Sequence, residues 1–176
     1  MTRFRRQVAT LRRVWAEARQ SDREHGVLGP PPVQDPGPPI WIGALSERAR
    51  QRAVELADGF IFGGAARPST IGPAIQSTRP QAAERGKTDF SFNAVAYIAI
   101  GGQREFSEAV AHHQRYHPVL PVPVEQAIHH GPINKIKDVV AEYAACGLDL
   151  LVLLPEVRSL RQLELLSEHV LPEYRH

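Results

Sequence analysis

The chain holds one cysteine, Cys146, in 176 residues. A lone thiol excludes an internal disulfide and a cysteine-rich metal centre, and such sparing use favours a reducing, cytoplasmic setting. Long hydrophobic runs are also missing. The longest apolar stretches, Ala94 to Ile100 and Leu148 to Pro155, fall far short of the ~18 residues that a membrane span needs, so no membrane partner is expected. Met1 to Arg13 is basic, but Val14, Trp15 and charged residues follow where a signal peptide has an apolar run and a small-residue cleavage site. No such leader is read. A large excess of one charge is absent too: the net +2 is too small to point to nucleic acid. Seven arginines do lie between Arg3 and Arg23. Phe4, Val8, Leu11 and Trp15 recur at helical spacing, however, and leave the arginines on the solvated face of an amphipathic helix, with no nucleic-acid partner implied.

Several chemical signatures are missing as well. No G-x-G-x-x-G follows a strand and no G-x-x-x-x-G-K-[ST] occurs, which disfavours a Rossmann or P-loop nucleotide site. There is no Gly-x-Ser-x-Gly elbow, and Cys146 lacks a histidine with an orienting partner, so it reads as a small buried side chain.

What the sequence does contain, 43% hydrophobic and 23% charged residues, suffices for one cored domain. An N-terminal amphipathic helix over residues 1–25 leads into a Pro/Gly-rich loop, 26–39, where prolines fix φ and remove amide donors. From residue 40 to 176 strands and helices alternate. Ile40-Trp41-Ile42 reads as a short buried strand ending at Gly43, and Ser46 caps a helix that runs to about Ala57. Asp58-Gly59 turns into the strand Phe60-Ile61-Phe62, closed by Gly63-Gly64. A helical segment around Ile71 to Arg85, a strand from Phe90 to Ile100, and a helix from Glu105 to Tyr116 follow. After a proline-rich interruption, Ile133, Ile136, Val139, Val140 and Tyr143 share one face of a helix that Gly147 ends. Leu148 to Leu154 is the last strand, and Leu160, Leu163, Leu166 and Val170 mark a terminal helix. Four apolar strands alternating with helices predict a parallel α/β sheet. Pattern alone leaves open sheet and barrel undecided.

The sharpest local feature is Trp41-Ile42-Gly43-Ala44-Leu45-Ser46-Glu47, a strand passing through small residues into a helix N-terminus. Free amides and a positive dipole end suit such a turn to phosphate. Gly63-Gly64, after the next strand, supplies a second wall, with Arg67 placed to pair with a phosphate oxygen. Five histidines form two groups, His112, His113 and His117, then His129 and His130. His113 and His117 have the i, i+4 spacing of a helical metal site, but Gln114 stands where a zinc-protease glutamate would, and no third ligand is evident. They read as solvated or ligand-loop histidines, with no metal expected. His117 and His129, placed in irregular loops, are acid–base candidates by default, and no catalytic residue is assigned.

Pro38-Pro39-Ile40-Trp41-Ile42-Gly43-Ala44-Leu45-Ser46-Glu47, Ala53 to Leu56, and Ala57-Asp58-Gly59-Phe60-Ile61 resemble the luciferase-like monooxygenase family, with its "P-P-I-W-I-G-G-x-S-E" turn and "A-D-G-W/F-I" strand. Phe90 to Gly101, Gly131-Pro132, Cys146-Gly147-Leu148-Asp149 and Leu150 to Pro155 continue the match in order, and Arg3-Phe4, Leu11 and Val14-Trp15 resemble the helix before the family's fifth strand. The resemblance implies part of a TIM-type (β/α)8 barrel, its C-terminal half, with about four parallel β/α units behind an N-terminal helix. It implies FMN or a deazaflavin coenzyme, used in oxidoreductase or monooxygenase chemistry. Cofactor-binding positions carried over are Gly43, Ala44, Leu45, Ser46, Gly63 and Gly64. The family has Gly-Gly where this chain has Gly43-Ala44, so a Cβ at Ala44 is expected to crowd a phosphate. The loop Asp22 to Val33 is also unlike the family's aromatic-containing segment. Read as a truncated chain, a half barrel exposes two sheet edges and an apolar inner face, so a homodimer or a complementing N-terminal half is expected to close it. The rival expectation is a non-catalytic remnant that binds a ligand or partner.

Overall fold

The computed structural model describes residues 3–20, 31–116 and 122–174. In chain order the elements are α1 Arg3–Gln20, β1 Trp41–Gly43, α2 Glu47–Leu56, β2 Gly59–Phe62, α3 Pro68–Glu84, β3 Ser91–Ile100, α4 Gln103–Tyr116, α5 Val124–Ala127, β4 Ile128–Gly131, α6 Ile133–Ala144, β5 Leu150–Pro155 and α7 Leu160–His169. The sheet therefore has five strands among the described residues, one more than expected. The addition is β4, whose Ile128-His129-His130-Gly131 carries one aliphatic side chain and no alternation long enough to read as a strand. The helix expected from Ile71 begins earlier, at Pro68, because proline at the first helical position gives up an amide that has no partner there anyway.

All pairings are parallel. β3 is the spine. Its residues 91–94 pair with β2, 97–100 with β4, and 93–98 with β5. Since β5 overlaps both registers, β2 and β4 must share the other edge, β4 taking the place beside β3 that β2 leaves at Gly63. Among the described residues β1 pairs only with β2, and β5 only with β3, so the sheet has two free edges.

Strand periodicity assigns the two faces. Phe60, Phe62, Phe92, Ala94 and Ala96 turn toward α2, α3 and α6, where they bury against Val54, Ile71, Ile75 and Tyr143. Ile98 and Ile100 extend that layer to Ile136, Val140, Leu166 and Val170. The opposite face, the inner one of a barrel, carries Trp41, Ile61, Val95, Tyr97, Val152 and Leu154. Its C-terminal end is covered by α4, through Phe106, Ala109 and Val110 against Tyr97, Ala99 and Ile128. Nearer the N-terminal ends it is open at Trp41, 38% exposed, and Leu150, 41% exposed, and along the edge strand β5 the opening continues to Leu154, also 41% exposed.

α1 is tied down by charge, which refines the solvated face expected of its arginines. Arg12 grips Asp58 through both carboxylate oxygens, at 2.8 and 3.0 Å, and Arg5 pairs with Glu55. Asp58 Oδ2 also accepts the Ile40 amide at 2.8 Å, which anchors the start of β1. No helix among the described residues is long and apolar enough to cross a membrane.

Candidate functional site at the C-terminal strand ends

Parallel strands gather their C-terminal turns along one rim, and the Gly43–Ser46 turn stands there after β1. Gly43 is exposed, and nothing lies within 4 Å of where a Cβ would project. Ala44 is placed differently from the crowding expected of it. It shares strand parity with Ile42, so its methyl enters the helix-side core at 1% exposure, and its amide donates to Ile61 O at 3.3 Å. Its methyl is thus turned into the core and away from the exposed side of the turn. Leu45 is 60% exposed, and Ser46 caps α2, its Oγ accepting from the Ala49 amide at 3.2 Å. The first-turn amides of Glu47 and Arg48 have no intrahelical acceptor. Glu47 is turned along the helix, where Oε1 accepts from Gln51. Arg50, which sequence reasoning missed, folds back so that Nη1 donates to Leu45 O at 3.1 Å, while its buried Nε has no hydrogen-bond partner among the described residues.

The second turn differs residue by residue. Gly63 is exposed and open, with nothing within 4 Å of a Cβ there. Gly64 is buried, and a Cβ would drive into the Tyr97 ring, so this glycine serves packing. Arg67 stands just before Pro68, at the N-terminus of α3. Its guanidinium Nη1 meets His129 Nε2, which also lies 3.0 Å from the Tyr143 hydroxyl, and that hydroxyl donates to Ala66 O at 2.8 Å. Burial, reinforced by the charges of Arg67 and Lys135, lowers the His129 pKa to about 4. His129 is therefore a neutral acceptor near pH 7. Arg67 is thus held by a neutral ring, with no carboxylate among its described ion pairs.

His129 belongs to strand β4, not to the irregular loop expected of it; its neighbour His130 stacks on Phe106, with centroids 3.9 Å apart. His113 is fully buried, contrary to the solvated reading, and His117 lies outside the described residues, as does most of the loop from Asp22. Nδ1 of His112 and of His113 each lie 3.1 Å from Oε2 of Glu156, a residue that nothing in the sequence singled out. Among the described residues no group of three His, Cys, Asp or Glu side chains is arranged to hold a metal ion. Cys146 is partly buried, with its thiol pKa raised by burial.

Two exposed glycines on neighbouring strands, open amides at the α2 N-terminus, and two arginines without carboxylate partners among the described ion pairs fit a phosphate-sized anion. The parallel strands and their interleaved helices together define part of an α/β barrel. The chain belongs to the luciferase-like monooxygenase family, whose model matches residues 1–147. Solved structures share the fold. Monooxygenase RslO1 from Streptomyces bottropensis is 20% identical with a TM-score of 0.66, and an F420-dependent secondary alcohol dehydrogenase, solved with an F420-acetone adduct, is 14% identical with a TM-score of 0.64. Each match covers 96% of this chain and 60% of the other. EDTA monooxygenase (EmoA) from Chelativorans sp. BNC1 is 15% identical with a TM-score of 0.56, over 88% of this chain and 49% of its own. This chain thus spans about 60% of the length of the first two relatives.

Proposed function

We propose that the chain binds a flavin or deazaflavin cofactor by its phosphate end and contributes to an oxidoreductase or monooxygenase site. The observation that carries this reading is the pair of open turns, Gly43–Ser46 and Gly63, on adjacent strands, with Arg67 following the second turn and meeting only the His129 ring and no carboxylate among the described ion pairs. Arg67 and Arg50 supply fixed cations, and the Glu47 and Arg48 amides supply donors. Leu45 and Ala44 shape the turn, and Ser46 holds it. The cofactor, when bound, supplies hydride transfer or oxygen activation, and this chain orients it.

The open inner face around Trp41, Leu150 and Leu154 leaves the pocket incomplete in the described residues. A homodimer partner or a complementing N-terminal half closes the sheet in this reading. The same open face favours a second reading, a non-catalytic half barrel that binds an anionic ligand or partner. A DNA-binding role for α1 gains no support, since Arg5 and Arg12 are engaged with Glu55 and Asp58.

Fluorescence titration with FMN and with F420, alongside a melting-temperature scan, tests the proposal. Saturable binding with a raised Tm supports it, and no response to either cofactor defeats it. Binding without turnover of any reduced cofactor selects the second reading.

A further inference from the structure

Glu156 stands one residue beyond β5, and its amide donates to Ile98 O at 2.9 Å, which continues the β3–β5 ladder past Pro155. Its side chain is 6% exposed, a costly place for a charge unless donors meet it. The ion pairs described for it run to two successive histidines of α4, His112 and His113, both through Nδ1 to the same oxygen, Oε2. Only the His112 contact has hydrogen-bond geometry, and since an ionised carboxylate only accepts, His112 Nδ1 carries the hydrogen toward it. That fixes the tautomer of the His112 ring, and when the ring is neutral it leaves the lone pair on Nε2.

The two rings differ in access. His113 is sealed against the sheet, edge-on to the Tyr97 ring with centroids 4.5 Å apart, and its side chain is 0% exposed. The His112 side chain keeps 27% exposure and lies beside the open Tyr116 ring, with centroids 4.8 Å apart. α4 sits on the inner face, at the strand ends where barrel enzymes place their reacting groups. Gly64, Tyr97, His113, Glu156 and His112 form a contiguous series from the turn after β2 to the end of β5.

We propose that His112 and Glu156 form an acid–base dyad on the inner face, in which His112 Nε2 exchanges a proton with a hydroxyl group of a bound ligand. In the forward direction the ligand O–H bond breaks and an Nε2–H bond forms. The imidazolium is balanced by the buried carboxylate of Glu156, and the reverse step returns the proton. Glu156 is a positioning residue: it acts through His112 by holding the tautomer and stabilising the charged ring. The inference depends on the cofactor reading only in placing a ligand on this face. A purely mechanical role, α4 pinned to β5, would need neither a fixed tautomer nor an accessible Nε2.

The test is imidazole nitrogen NMR on the full chain, combined with diethyl pyrocarbonate modification mapped by mass spectrometry, for the wild type and Glu156→Gln. Near neutral pH, His112 is expected as the Nδ1–H tautomer and to be modified about tenfold or more faster than His113. Glu156→Gln keeps an acceptor but removes the charge. It should mix the His112 tautomers and slow the modification severalfold, with circular dichroism unchanged. A Lys→Arg change far from the site, Lys87→Arg, controls for handling. FMN or F420, at concentrations where fluorescence shows binding, should protect His112. The dyad is overturned by an Nε2–H tautomer, by equal reactivity of the two histidines, by indifference to Glu156→Gln in a folded variant, or by no protection from a cofactor that binds. If neither cofactor binds, the cofactor reading fails by itself, and tautomer and reactivity still decide the dyad.

Discussion

The Tyr97 ring occupies the space into which a Cβ on Gly64 would project, so the turn after β2 and the spine strand β3 fit together only with glycine at position 64. At Gly63, its neighbour, nothing lies within 4 Å of where a Cβ would project. Gly64→Ala should therefore destabilise the fold by about 1–3 kcal/mol through overpacking. Gly63→Ala should leave urea-unfolding stability nearly unchanged while weakening FMN or F420 binding. Equal effects of the two substitutions on both measurements would remove the distinction between packing glycine and site glycine.

His129 couples stability to acid. Its pKa is lowered to about 4 from an ordinary 6.5, so between those values the unfolded chain binds a proton that the folded chain refuses. Stability is full above 6.5 and falls as pH drops toward about 4, and the partly exposed ring limits the loss to about 1–2 kcal/mol once solvent screening is allowed for. His129→Asn should flatten that part of the pH–stability curve. Protonation also sets His129 against Arg67, so cofactor affinity should weaken over the same range.

Much of this architecture was legible in the residues. β1, β2 and β3 announce themselves by apolar runs closed with glycine, and α6 by its 3.6-residue stripe. β4 was not legible, because its place beside β3 comes from β2 ending at Gly63, a long-range vacancy in the ladder that no local pattern encodes. The turn positions were readable, but not which way their side chains point. Ala44 points into the core by strand parity, and Gly64 packs against a ring 33 positions away in sequence. Glu156 had no local signal beyond being a polar residue at the end of an apolar strand.

Asp58 joins three elements, through Arg12 of α1, the Ile40 amide before β1, and its own carbonyl, which accepts from the Ser91 amide of β3 at 2.9 Å. Asp58→Ala should cost about 1–3 kcal/mol by leaving the partly buried Ile40 amide without its acceptor. Arg12→Ala, which removes only the half-exposed ion pair, should cost about 0–1 kcal/mol. Chemical denaturation of both variants checks the order, and a larger loss for Arg12→Ala would refute it.

Gln162 of α7 reaches back to the end of β3, where its side-chain amide both donates to Ile100 O and accepts from Ile100 N, each at 2.8 Å. Gln162→Leu should destabilise by about 2 kcal/mol or more, since a donor and an acceptor are left buried and unpaired. Hydrogen exchange at the Ile100 amide should accelerate in that variant, and an unchanged rate would show that α7 does not secure the strand end.

The most direct measurement compares FMN with riboflavin, which lacks the phosphate, in the wild type and in Arg67→Ala. If the two turns and Arg67 hold the phosphate end, wild-type protein should bind FMN about tenfold or more tighter than riboflavin, and Arg67→Ala should erase most of that ratio. Equal affinity for FMN and riboflavin in the wild-type protein would contradict the account.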